Sequence, residues 1–341
     1  MTKSNYYCFS EKGEVLLPND LEINNSIQKG VRPIIFIDSC VCLEIIKLVD
    51  YGKKATDINK EKILNLKEYI HKNNIELSPL FGIMELCSRK EIFDVQKFWD
   101  FKHRIDFFLL IPFKNLKQMN YDFKRDYIKF KDDNLSLGNP YSEIKSIQFN
   151  TYSSLLKIRL IAKESLLKKD FEKNCNILID WMINDLKIFF GVECKLGFSI
   201  FGGNTEFRKM LGIDLNSEKV KKILLGTTWD IFHSRISTNS SMISNILGEN
   251  LKPFFLTNDK NLFNLFKSLE LSMIIDGGEN FGSSFIFNTG IDYPNFDEKV
   301  TERLNVKMIT LLSERFKNKY IFEEKYVLNL IEELEIKNNI A

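Results

Sequence analysis

The stretch PIIFIDSCVCLEII (33–46) decides the fold of this chain. Residues 34–37 form an unbroken apolar run, which is typical of a strand buried on both faces of a parallel sheet. Apolar residues at helical spacing follow directly, so the pattern predicts a strand, then Asp38, then a helix. We therefore expect Asp38 at the carboxyl end of a buried strand, where open α/β sheets bind their ligands.

The same order of strand, acid and helix returns near the other end of the sequence. KPFFLTND (252–259) places Asp259 after an apolar run, as Asp38 is placed, and a helical pattern follows. Two further acids lie in predicted helices, Glu85 early in GIMELCSRK (82–90) and Asp230 near the expected helix start in GTTWDIFHSRI (226–236). The pattern thus predicts that four carboxylates converge.

Converging carboxylates repel one another unless a cation offsets their charge. Mg²⁺ and Mn²⁺ prefer carboxylate and water oxygen, and a bound ion can activate water and offset charge on a phosphodiester. The alternative for Asp38 or Asp259 taken singly is an ordinary helix N-cap, and for Glu85 it is a solvated helix residue. The combination of the four favours a metal site.

The four segments IIFIDSCVCLEI, GIMELCSR, GTTWDIFHSRIS and PFFLTNDKNLF resemble, in order and type, the four acidic motifs of PIN-domain nucleases. This resemblance implies an α/β/α sandwich with a central parallel sheet and endonucleolytic cleavage of RNA. It also implies that Mg²⁺ or Mn²⁺ is bound by Asp38, Glu85, Asp230 and Asp259. The connection between the second and third acids is much longer than in compact family members, which suggests a larger, specialised relative.

Four polar residues beside the acids are candidate substrate-binding groups. The resemblance suggests that Ser39 and Thr257 hydrogen-bond a metal-bound water or a phosphate, with capping of the following helix as the alternative. His233 and Arg235 lie beyond Asp230 and can approach a scissile phosphate, with an exposed helix face as the alternative. Glu44 is expected to be an ordinary helix-surface glutamate.

The simplest organisation is an α/β domain that is split in sequence. We expect this PIN-like domain over 31–90 and 222–290, after a polar, turn-rich N-terminal extension over 1–30. A mostly helical insertion over 91–221 and a helical C-terminal tail over 291–341 complete the prediction. Within the insertion, YDFKRDYIKFK (121–131) interleaves aromatic and basic residues and fits either RNA binding or a packed helix face.

The composition is that of a globular protein. With 48 basic and 46 acidic residues the net charge is +2, so any nucleic-acid surface must be local. The six cysteines and three histidines lack zinc-finger spacing, and the absence of a signal-like or membrane-spanning stretch predicts a cytoplasmic location without membrane contact.

Three other classes of protein are alternatives to a nuclease. A haloacid-dehalogenase-type phosphotransferase needs an aspartate where this chain has Cys40, and no P-loop motif is present. A non-catalytic scaffold on a PIN-like fold, acting through the helical insertion, stays open. The expected partner is RNA rather than DNA, and a regulatory protein partner and self-association also stay open.

Overall fold

The computed structural model describes residues 6–10, 13–89, 92–127, 140–215, 219–238, 240–268, 271–276, 283–287, 297–315 and 322–340. Residues 128–131 of the basic aromatic stretch lie outside these ranges, as do 291–296, 316–321 and 341 of the predicted tail. Two compact units share the chain: residues 1–143 with 233–266, and residues 144–232 with 267–341. The contacts group 92–127 with the first unit, and 271–276 and 283–287 with the second.

The elements follow one another in this order. They are β1 (Tyr7–Ser10), β2 (Gly13–Glu14), α1 (Asp20–Gln28), β3 (Arg32–Ile37), α2 (Ser39–Tyr51), α3 (Lys60–Asn73), β4 (Glu76–Ser78), α4 (Leu80–Cys87), β5 (Ser88–Arg89), β6 (Ile92–Phe93), α5 (Val95–Leu110), α6 (Phe113–Gln118), α7 (Phe123–Tyr127), α8 (Lys145–Glu164), α9 (Phe171–Asn184), α10 (Gly191–Phe201), α11 (Thr205–Met210), α12 (Lys219–Thr238), α13 (Ser240–Leu247), β7 (Leu251–Thr257), α14 (Lys260–Ser268), β8 (Leu271–Asp276), β9 (Ser283–Phe287), α15 (Glu298–Arg315) and α16 (Glu324–Lys337).

The first unit contains a five-stranded sheet in the order β2-β1-β7-β3-β4. Strand β3 is parallel to both of its neighbours, with Ile35 opposite Leu77 in β4 and Phe254 in β7. Strand β1 is antiparallel to β7 and pairs Tyr7 with Thr257. The fold class α/β is therefore confirmed, but the prediction of a purely parallel sheet is wrong because the N-terminal segment adds an antiparallel strand.

The two parallel strands β3 and β7 lie at the centre of this sheet and are apolar for the expected reason. Ile34, Ile35, Phe36 and Ile37 are all buried, as a strand covered on both faces requires. The helix α2 begins immediately after Asp38, and its apolar stripe of Val41, Cys42, Ile45, Ile46, Leu48 and Val49 is buried. The predicted strand, acid and helix are thus confirmed at residues 32–51.

The second unit is mainly helical. In its helix α8, the Arg159 guanidinium is fully buried and donates hydrogen bonds to the carbonyl oxygens of Leu211, Gly212 and Leu215. It also donates to Asn338 beyond α16, so one side chain ties the C-terminal helix to the centre of the unit. Strand β8, predicted from LSMIID, pairs with β9 in a separate antiparallel two-stranded sheet. Across the described ranges, every helix is too short or too polar to cross a lipid bilayer.

Helix α12 corrects a prediction about Asp230. We expected a helix to start near this residue, but α12 begins at Lys219 and Asp230 lies well inside it. The apolar stripe continues backwards through the buried Val220 and Leu224, and the helix accommodates Gly226 in its interior. The two threonines after Gly226 resemble the residues that begin a helix, but no helix begins there.

Candidate functional site at the ends of β3 and β7

Asp38 is the N-cap of α2 and lies at the carboxyl end of β3. Its backbone is extended, and one carboxylate oxygen accepts the N–H of Cys40 at 2.9 Å. The other oxygen accepts the Cys40 thiol at 3.1 Å and the hydroxyl of Thr257. Only 4% of the residue is exposed, and these three donors fix the direction of the carboxylate. Asp38 is thus both the expected helix cap and a residue whose carboxylate is held by the neighbouring strand β7.

Thr257 connects the ends of the two central strands. Its fully buried hydroxyl donates to Asp38 and accepts the backbone N–H of Asp259 at 2.9 Å. Asp259 is exposed and caps α14, since its carboxylate accepts the N–H of Leu262 at 3.2 Å. The two aspartates that the sequence placed after strands are therefore joined through a single hydroxyl group.

Glu85 lies on α4 and is held by two polar side chains. Its carboxylate is 2.9 Å from Nε2 of His233, and Ser39 donates a second hydrogen bond to it. Burial raises the pKa of Glu85 and the charge of Asp38 raises it further, while His233 and Ser39 oppose the rise. The Glu85 side chain keeps 22% exposure, so it is the part of this pair that solvent can reach.

Gly82 explains how α4 comes so close to the end of β3. A Cβ at this position would lie 2.5 Å from the carbonyl oxygen of Ile37 and 2.9 Å from the carbonyl carbon of Asp38. No residue with a side chain fits that distance from the backbone. Because Glu85 follows Gly82 by one helical turn, this contact sets the distance at which the helix presents its carboxylate.

The remaining predicted site residues lie on α12. His233 is fully buried, stacks on Phe255 at a ring distance of 5.0 Å and contacts Glu85. We predicted it as a substrate-binding group, but its position makes it a partner of Glu85. Arg235 is half-buried on the same helix. Asp230 precedes His233 by three residues and falls in the second compact unit.

A polar group near Asp38 was not among the predicted site residues. Glu44, expected to be solvated, accepts hydrogen bonds from the Tyr6 hydroxyl at 2.7 Å and from the Asn258 amide at 3.3 Å. Lys62 donates to the same Asn258 at 2.6 Å. Asn258 lies between Thr257 and Asp259, so its position in the sequence could have identified it as a site residue. Nothing in the sequence around Tyr6 or Lys62 indicated that they belong to this group.

The donors gathered here are carboxylate and hydroxyl oxygens, the chemistry that Mg²⁺ and Mn²⁺ prefer. Within the described ranges, no three side chains of His, Cys, Asp or Glu form a group that could hold a metal ion. The structure does place Asp38 near enough to Glu85 for the charge of Asp38 to raise the pKa of Glu85, and Asp259 is linked to Asp38 through Thr257. A hydrated Mg²⁺ is commonly held in proteins through one or two carboxylates.

Comparisons with protein-family models, with curated proteins and with solved structures gave no match.

Proposed function

We propose that this chain is a PIN-like, metal-dependent endonuclease that hydrolyses phosphodiester bonds in single-stranded RNA. The observation that supports it best is the link through Thr257 between Asp38 and Asp259, at the carboxyl ends of two parallel strands. An α/β/α sandwich and a cytoplasmic location are part of the same proposal. Open sheets bind ligands at this edge, and the acids follow the order of the PIN motifs.

The proposed ligands of the ion are Asp38 and Glu85, with Asp259 and Asp230 completing the set on the resemblance. When bound, Mg²⁺ or Mn²⁺ would make a water molecule more acidic and offset charge on the phosphodiester. Thr257 fixes the direction of the Asp38 carboxylate through its hydroxyl. The two hydrogen bonds from His233 and Ser39 favour the ionised form of Glu85, which a hard cation requires.

His233 and Thr257 act through other residues in this proposal. The imidazole is fully buried behind Glu85 and cannot itself meet an RNA strand without a rearrangement. Removing a residue that hydrogen-bonds a metal ligand in this way commonly lowers metal affinity or activity by ~10–100-fold. Arg235 and Ser39 remain the proposed substrate-binding side chains near the acids.

The decisive experiment is cleavage of a labelled single-stranded RNA by the full chain with Mg²⁺ or Mn²⁺. Asp38→Asn keeps the cap of α2 but removes the charge, so we expect it to lower the rate by more than the ~10–100-fold typical of residues that hydrogen-bond a metal ligand. The matched control is Asp20→Asn, the same change on an exposed helix residue of the first unit, which should cleave at the parental rate. Equal cleavage by Asp38→Asn and the parent would refute the proposal.

A second measurement separates the enzyme from a non-catalytic scaffold. Calorimetry with Mn²⁺ should show binding to the parent that is lost in Asp38→Asn and weakened in Asp259→Asn. A chain that neither binds Mn²⁺ through these residues nor cleaves RNA favours the scaffold. Cleavage of single-stranded DNA at a rate equal to that of RNA would instead assign the same chemistry to a DNA-directed enzyme.

A further inference from the structure

Lys62 is a buried lysine in the first turn of α3. Only 7% of the residue is exposed, although lysine is almost never buried without a charged partner. Its ammonium group donates to the side-chain oxygen of Asn258 at 2.6 Å and lies 4.1 Å from the centre of the Tyr6 ring. Both contacts hold the nitrogen in one place at the carboxyl end of β7.

The side chains around this ammonium form a polar group that includes the exposed Asn258. Asn258, which accepts the hydrogen bond from the Lys62 ammonium, is exposed, whereas Lys62 itself is buried. Asn258 also donates to Glu44, whose second oxygen accepts the Tyr6 hydroxyl. Lys62 is thus the cation of a group that adjoins Thr257 and Asp259.

The charge of Lys62 is only partly compensated. Burial lowers its pKa, and the negative charge of Glu44 opposes this effect from a distance. Among the described residues, no carboxylate is within ion-pair distance of its nitrogen, and Asn258 accepts one of its three N–H groups. A fixed ammonium with donors to spare is suited to an anionic ligand.

We propose that Lys62 binds a phosphate group of the RNA strand next to the phosphate that is cut. This inference rests on the proposed nuclease function. An edge carrying several carboxylates repels a polyanion, and the net charge of +2 supplies no general attraction. A lysine positioned by Asn258 provides that attraction locally, as a point charge.

The test measures RNA binding rather than cleavage. The full chain is titrated against a fluorescent single-stranded RNA, with Ca²⁺ in place of Mg²⁺, and anisotropy is followed at several salt concentrations. Lys62→Met should weaken binding about tenfold, the lower end for a hydrogen bond to a charged group, and should reduce the salt slope by about 0.7. Lys62→Gln keeps a donor toward Asn258 but no charge, and should show the same loss even where the Met variant folds poorly.

Two lysines on the same helix serve as matched controls. Lys67 is also buried but donates to the carbonyl oxygen of Leu109, while Lys72 is exposed. Lys67→Met and Lys72→Met remove the same charge as Lys62→Met, and both should leave RNA affinity within twofold of the parent. If either weakens binding as much as Lys62→Met does, the effect belongs to net charge or folding and the proposal is overturned.

The outcomes also separate this inference from the proposed function. If the parent cleaves and binds RNA, and Lys62→Met and Lys62→Gln bind it equally well, Lys62 is not a phosphate contact. Unchanged RNA binding together with tighter Mn²⁺ binding would identify Lys62 as a counter-ion of the carboxylates instead. A parent that neither binds nor cleaves RNA would refute both proposals together.

Discussion

Replacing Thr257 by valine tests the link between the two central strands. Valine has nearly the same shape and the same preference for a strand, so the change removes one hydroxyl group and little else. Asp38 would lose the donor that comes from β7, and the N–H of Asp259 would lose its acceptor. The effect should therefore be confined to the end of the sheet where the site lies.

The magnitude follows from the burial of the two partners. Asp259 is exposed, so water replaces the lost acceptor at little cost. Asp38 is 4% exposed, and a hydrogen bond to a charged group contributes about 1.5–3 kcal/mol. Since the Cys40 N–H and thiol remain in place, we expect the local opening free energy to fall by this amount and no more. The equivalent change in the opening equilibrium is about 10–150-fold.

Hydrogen exchange measured by mass spectrometry reports the local opening equilibrium of the peptide covering 33–46. Protection of its slowest amides should fall by about 10–150-fold in Thr257→Val. Thr257→Ser keeps the hydroxyl and loses a methyl group, so its peptide should stay closer to the parent. A fall of less than threefold in the valine variant, or an equal fall in the serine variant, would refute the role assigned to the hydroxyl.

Three other changes test separate features of the fold. Gly82→Ala places a methyl group 2.5 Å from the carbonyl oxygen of Ile37, and should lower the free energy of unfolding in urea by about 1–3 kcal/mol; an unchanged midpoint would contradict the close approach. Gly226 lies inside α12, and a Cβ at this position would have no other atom within 4 Å. Gly226→Ala should therefore raise the free energy of unfolding by about 0.5–1 kcal/mol, and a lower free energy of unfolding would contradict the open space at this position. Burial lowers the pKa of Lys67 to about 8, so the unfolded chain binds more protons above that pH and stability due to Lys67 should rise from pH 8 toward 10. The melting temperature of the parent relative to Lys67→Met should therefore increase over this window, and a constant difference would refute the assignment.

The parts of the fold that the sequence predicted are those with a local cause. The strand β3, the cap Asp38 and the helix α2 follow from a run of apolar residues and a change of period within 20 positions. The strand β1 has no such signal, because its four residues become a strand only through pairing with β7. The parallel sheet was predicted and the mixed sheet was not, since the antiparallel edge depends on a distant partner.

The site shows the same division. The acids after β3 and β7 were found because a strand that ends in aspartate is visible in the sequence. The pairing of His233 with Glu85 and the burial of Lys62 depend on which helices meet, which no local pattern specifies. From the sequence alone, a lysine in an amphipathic helix is expected to be solvated. The burial of Lys62 becomes clear only from its contacts with Tyr6 and Asn258, which are distant in sequence.

The pairing of β3 with β7 also constrains when the chain can fold during synthesis. Ile37 pairs with Leu256, so the central strand waits for its neighbour while the intervening residues are translated, roughly 10–40 s at ordinary rates of elongation. Over that time one edge of the apolar strand β3 is unpaired in the nascent chain. Such an edge is prone to aggregation, so we expect chaperones to assist folding at this stage. A ribosome-bound chain that stops before Leu251 has Asp38 and Glu85 but lacks Thr257 of β7 and Asp259 after it, so nuclease activity of the proposed kind would begin only after these residues emerge.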